Sequence, residues 1–260
     1  MKPTTIILAL AIMCWACGDG TSTPDVPEST NLDNRYAKED VTTENGVMVL
    51  QSDMKLINGT VFSEFGDNGK CVNGKREGTW RQWYDDGQLQ EELNYQGGKK
   101  HGLQKEWYGN GEVKSEHNYK DGKPNGSEKL WYADGQPEYD YNYTDGQKDG
   151  IQKEWYENGS LKSEFHHKDG KPHGYERIWY DGGQLQNELQ YKDGHKDGVQ
   201  KVWYEDGKLR SEHSYRDGEK DGVQKVWHEL TGQLIDEESY QRGVLKYAKH
   251  WDKDGKQIKR

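Results

Sequence analysis

Gly150-Ile-Gln-Lys-Glu-Trp-Tyr-Glu-Asn-Gly159 decides the fold, because nearly the same words return before and after it at one interval. Its tryptophan keeps the count: Trp83, Trp107, Trp131, Trp155, Trp179, Trp203, Trp227 and Trp251 stand 24 residues apart and make up eight of the ten tryptophans. A fixed period of this size marks a repeat architecture, in which each unit is one supersecondary element that buries its apolar face only against its neighbours. Within a unit, Glu157-Asn-Gly159 and its relatives end on glycine after Asn or Asp, a strong hairpin signal, since glycine takes positive φ without steric penalty. A second, longer turn is predicted at Lys120-Asp-Gly-Lys-Pro-Asn-Gly126 and its equivalents. Two turns per period leave two strands, each about six to eight residues long. No segment after Gly46 keeps a helical apolar stripe clear of these glycines. The expected fold is all-β and elongated: an antiparallel β-hairpin ladder forming a twisted single-layer sheet.

Register follows from the short turn. A three-residue loop at Glu157-Asn158-Gly159 sets Trp155 against Leu161 and Tyr156 against Ser160. Strict alternation then gathers Ile151, Lys153, Trp155, Leu161, Ser163 and Phe165 on one face, and Gln152, Glu154, Tyr156, Lys162 and Glu164 on the other. Tryptophans two strands apart lie roughly 9.6 Å from each other, too far to stack. The strands between them supply Leu89, Val113, Pro137, Leu161, Leu185, Leu209 and Leu234, so that an alternating Trp/aliphatic spine forms a core one side chain deep. Pro137 is its weak link, because proline cannot donate to a ladder.

Composition bounds the function. With 30% hydrophobic and 32% charged residues the chain reads as close to disordered, but 12% aromatics placed periodically supply the missing burial. A net charge of -10, with lysines alternating with acids, excludes a cationic stripe for nucleic acid. At the N-terminus, Lys2, the apolar run from Ile6 to Met13, and Ala16 before Cys17 resemble a bacterial lipoprotein signal, with Cys17 as the acylated residue. The alternative is ordinary secretion with cleavage near Ala16. The expected location is an exported, membrane-anchored lipoprotein of a bacterial outer membrane, on its periplasmic or surface side. The organisation expected is a signal over 1–17, a disordered polar tether over 18–46, a divergent repeat over 47–77, seven repeats over 78–245 and a partial capping repeat over 246–260. The divergent repeat is read from Asn58-Gly-Thr-Val-Phe-Ser-Glu-Phe65, which matches Asn158-Gly-Ser-Leu-Lys-Ser-Glu-Phe165.

The stretch Gly198-Val-Gln-Lys-Val-Trp-Tyr-Glu-Asp-Gly-Lys-Leu-Arg-Ser-Glu-His-Ser-Tyr-Arg-Asp-Gly218 resembles the MORN-repeat variant of bacterial proteins called YwqK-type antitoxin-like. The resemblance runs from about Asn58 to Gly255. It implies a hairpin ladder, a non-catalytic binding role and neutralisation of a toxin or effector.

Candidate partner residues are the tyrosines beside the spine, Tyr108, Tyr132, Tyr156, Tyr180 and Tyr204, and the acidic column, chiefly Glu116, Glu164, Glu188 and Glu212. Rows of exposed tyrosine suit protein or glycan contacts, whereas packing over charged stems is the plainer use. The acidic column is read first as cross-strand pairing with lysines such as Lys105 and Lys153. Eight equivalent carboxylates on a flat face offer no distinguished catalytic pocket, so no enzyme is expected. The histidines lack metal-ligand spacing and the Asp-Gly pairs read as turns, so no metal or cofactor is expected. The primary reading is an extended protein-binding scaffold; the alternative is a glycan- or cell-wall-binding module.

Overall fold

A computed structural model of the protein describes residues 34–259. The chain divides into Met1–Thr30 and Asn31–Arg260; the signal, Cys17 and the first part of the expected tether lie outside the described residues. Those described form one sheet of 22 strands and a separate hairpin, Val41–Glu44 with Val47–Leu50, with one 3-10 turn at Lys38–Asp40 and no α-helix. From Gly59–Ser63 onward successive strands pair antiparallel, with three of them interrupted into two pieces that both pair with the strand before, so the sheet grows in sequence order.

The turns differ from expectation at one edge. The longer turn is a tight two-residue one: Asp121 (φ 52) and Gly122 (φ 83) both take positive φ, and the next strand starts at Lys123. That is the primed hairpin geometry whose twist matches the strands, and Asp-Gly is its preferred pair. Gly126 therefore lies inside a strand rather than closing a loop. At the other edge the three-residue loop forms as read: Tyr156 N–H donates to Ser160 O and Gly159 N–H to Tyr156 O, both at 2.9 Å. A longer rhythm overlies the period. Lys123–Trp131 and Lys171–Trp179 are continuous, whereas Gln147–Lys148 and Gly150–Trp155, like His195–Lys196 and Gly198–Trp203, are one strand broken in two. The structural period is thus two units.

Trp155 pairs with Leu161 and the same match recurs from Trp83 with Leu89 to Trp227 with Leu234. Pro137 faces Trp131 as the first residue of its strand, where no ladder donor is needed. The expected face assignment, however, is overturned. Glu154 faces Ser163 while Trp155 faces Leu161, so Lys162 is an extra, bulged residue. A one-residue bulge shifts the rest of the strand to the opposite parity. Ser163 and Phe165 consequently share the face of Gln152 and Glu154, and Glu164 joins Lys153 and Trp155. The eight periodic tryptophans are half-buried, so the spine is a surface rib rather than a sealed core.

The sealed core lies at the N-terminal end, where Ile57, Val61, Cys71 and Trp80 are buried with Tyr36, Val41, Met48, Leu50 and Leu93 packed on them. Trp80, outside the 24-residue count, is 6% exposed and donates from Nε1 to Lys70 O at 3.0 Å. It lies on Gly69, where a Cβ would stand 2.4 Å from the indole. Burial pushes the Cys71 thiol up to about 11, against the pull of Arg76. Tyr36 and Val41 draw the preceding chain into this core: Arg35–Ala37 runs parallel to Gly59–Ser63. The tether expected to reach residue 46 therefore gives way to ordered strands from Arg35. Nor does the 58–65 segment repeat the geometry of 158–165, since Gly59 is a strand residue paired with Cys71, not the end of a hairpin loop.

Candidate functional site

The bulge puts two chemistries on opposite faces. One face carries an alternating charge ladder of fifteen residues, each directly opposite the next: Arg81, Glu92, Lys105, Glu116, Lys129, Asp140, Lys153, Glu164, Arg177, Glu188, Lys201, Glu212, Lys225, Glu237 and Lys249. Ion pairs close along it, at 2.7 Å for Lys105–Glu116, 2.8 Å for Arg177–Glu188 and 3.0 Å for Lys249–Glu237. The carboxyl of Glu164 is held below its usual range: burial opposes this, but hydrogen bonds with His166 and Lys153 and their charge outweigh it. Glu116, Glu164, Glu188 and Glu212 thus each have cationic neighbours on both sides in the ladder, and they stand on the face away from the tyrosines. The structure does not bring the two sets of candidate partner residues together.

The tyrosines line the loop edge of the other face. Each is half-buried and anchored by its hydroxyl, which donates to the backbone carbonyl of the next unit's tryptophan: Tyr84 to Trp107, Tyr108 to Trp131, Tyr132 to Trp155, Tyr156 to Trp179, Tyr180 to Trp203 and Tyr204 to Trp227, at 2.6–3.0 Å. Those carbonyls stand at the ends of strands, where the tyrosine gives them a hydrogen-bond donor and ties unit to unit. The ring remains as a rigid wall. Beside each ring stands the bulged residue of the same unit, in order Gln90, Lys114, Glu138, Lys162, Gln186 and Arg210. Rings and bulged side chains together line a shallow groove that crosses the strands. Two depressions in it, of about 260 and 450 Å³, repeat at an interval of 48 residues around Tyr132 and Tyr180.

Deeper on this face lie residues that sequence reasoning missed. Gln104, Gln152, Gln200 and Gln224 are almost fully buried. Gln152 accepts from Asn142 N–H at 3.0 Å and donates to Asn142 O at 2.9 Å, and Gln104 and Gln200 repeat this with Asn94 and Gln190. The side-chain amide stands in for a peptide group where the split strand leaves the ladder. The signal was present as Gly-x-Gln at 102–104, 150–152 and 198–200. Three units depart from this pattern, with Trp80, Glu128 and Glu176 in the glutamine's place; beside Glu128, Tyr139 stacks on Tyr141 at 4.5 Å, and the Tyr139 hydroxyl donates to Glu128 at 3.0 Å. Burial first, then the neighbouring Glu128 charge, raises the Tyr139 hydroxyl far above the ordinary phenol range. His117 and His213 lie on this face in separate units, and no group of three potential ligands able to hold a metal occurs among the described residues.

Periodic hairpins, inter-unit staples and an exposed groove define a repeat-built binding module. The chain belongs to the MORN repeat variant family, whose model matches six consecutive segments: 76–96, 100–121, 124–145, 148–169, 172–193 and 196–217. That family is generally non-catalytic. No curated protein matches the chain. Among solved structures it is similar to an alternansucrase in complex with isomaltononaose, at 13% identity over 79% of this chain and 18% of that one, with a TM-score of 0.16; a likeness that low carries no argument.

Proposed function

We propose that this protein is a non-catalytic scaffold that binds a protein partner along the tyrosine-lined groove. The observation that carries this reading is the separation of the faces: the ladder is neutralised by its own ion pairs, whereas the groove presents aromatic walls and charged bulges with room between them. Rigid aromatic rings lose little entropy on binding and are enriched where partners dock. In this reading the partner is a toxin- or effector-like protein, and the chain is exported and held at the membrane through acylated Cys17. A photo-crosslinking residue at Lys162 or Gln186 is expected to capture one protein in stoichiometric yield, and the same residue at Lys129 or Lys201 on the ladder face is not. Equal capture from both faces, or none, sinks the assignment. Replacing Cys17 by Ser is expected to release the protein from the membrane fraction; retention there rules the anchor out.

A further inference from the structure

The repeats act as internal controls for one another, and they single out two charges in the groove. At the bulge of each unit the side chain meets the residue opposite it across the hairpin. Lys114 is neutralised by Glu106 and Lys162 by Glu154, both at 3.2 Å, and Gln90 bonds Gln82 at 3.0 Å. Forty-eight residues beyond Lys162 the same position is Arg210, but Val202 stands where the carboxylate would be. Among the described residues Arg210 has no ion pair. Its guanidinium lies 5.8 Å from the ring centre of Tyr204, at the rim of the depression of about 450 Å³ that Tyr180, Gln186, Asn187 and Ser211 also line. Glu138 is the mirror case. Leu130 replaces its cross-hairpin partner, no ion pair reaches it among the described residues, and it lines the depression of about 260 Å³ with Tyr132 and Tyr139.

We infer that the groove recognises an extended protein segment through two charge receptors, Arg210 for an acidic side chain and Glu138 for a basic one. This rests on the groove being the partner-binding surface. A guanidinium fork takes a carboxylate in two parallel hydrogen bonds, and the amides of Gln186 and Asn187 with the Ser211 hydroxyl offer further donors. At the other receptor, tyrosine rings beside a carboxylate suit an ammonium or guanidinium group. Because the whole chain carries a net charge of -10, an acidic segment gains nothing from long-range attraction and depends on the local cation. The receptors lie three units apart, six strand spacings, or roughly 29 Å. An extended segment covers that in about nine residues.

The test uses the full-length chain in detergent and a display library of random twelve-residue peptides, long enough to reach both receptors. The expected binders carry an acidic and a basic residue about nine positions apart. They are expected to weaken at least about tenfold, or 1.4 kcal/mol, on Arg210→Gln. Val202→Glu is expected to do the same, because it supplies Arg210 with the internal carboxylate that Glu154 gives Lys162. Glu138→Gln is expected to erase the preference for a basic residue. Peptides that bind Val202→Glu and Arg210→Gln as tightly as the parent, yet are blocked by Ser211→Trp, overturn the charge receptors and leave the groove standing. A selection without binders, or binding only of hexagalacturonate offered in parallel, overturns both. Unchanged thermal midpoints in the variants exclude unfolding as the cause.

Discussion

The hydroxyl of Tyr156 donates a 2.8 Å hydrogen bond to the backbone carbonyl of Trp179, 23 residues further on. The bond joins the loop edges of two successive units, and five others like it make a row. Tyr156→Phe deletes one hydroxyl while keeping the ring, so a loss of about 1 kcal/mol is expected in urea denaturation. The same change at Tyr95, outside the row and bonded to Arg76 instead, should leave the hydrogen exchange of the Trp179 unit unaffected. An unaltered midpoint in Tyr156→Phe would mean that water replaces the hydroxyl at no cost.

Gln152 is the second inter-strand device, and its removal is expected to be more damaging. Gln152→Leu keeps the volume but leaves the Asn142 N–H without its acceptor, while the Asn142 carbonyl keeps the Asp149 N–H at 2.9 Å. An unsatisfied buried polar group costs about 1–3 kcal/mol, so the variant should fall below Tyr156→Phe in stability. Hydrogen exchange at the Asn142 amide should accelerate with it. Protection equal to that of the parent would show that the strand closes without the side chain.

Glu164→Lys tests the ladder. It places a third cation between Lys153 and Arg177, which face Glu164 from the two neighbouring strands. Like charges opposite one another are destabilising by up to about 1 kcal/mol, and screening reduces the effect. The expected signature is a lowered thermal midpoint that recovers partly as sodium chloride is raised. A salt-independent loss would point to packing rather than charge.

Acid sensitivity has a defined sign at Glu128. A hydrogen bond with His117, opposed by burial and helped by Tyr139, holds its carboxyl below the usual carboxylate range. A depressed carboxylate contributes stability that is present above its unfolded pKa and is lost as pH falls through its folded one. Stability should therefore decline below about pH 4.5, and Glu128→Gln should flatten that decline. An identical pH profile for the two proteins would remove Glu128 from the account.

Tryptophans should separate by burial rather than by period. Trp80→Ala opens the sealed N-terminal core and is expected to cost about 3–5 kcal/mol. Trp155→Ala removes a half-buried ring and should cost less. The reverse order, read by denaturation of each variant, would make the rib the principal core.

Legibility followed distance along the chain. Trp155 opposite Leu161 was readable because the Asn158-Gly159 turn between them sets the register within seven residues. Trp80 was not, since it breaks the 24-residue count and its burial depends on Gly69 and on the strand at Arg35–Ala37. Among the candidate site residues, the tyrosine row was visible as a row, but not its hydroxyl bonds, which reach the next unit. Pairing of the acidic column with lysines was legible in kind. Its place on the spine's face was not.

The 24-residue period, the all-β class and the hairpin register are properties of the amino-acid sequence alone, because Gly, Asn and Asp constrain their own backbone and a recurring pattern admits one recurring unit. The allocation of residues to faces belongs to the folded sheet. The bulge at Lys162 is decided where two strands meet, and one residue of slip carries Glu164 to the opposite side. For the same reason the inward turn of Gln152 and the docking of Tyr156 on Trp179 appear only once a neighbouring unit offers a backbone group in need of a partner.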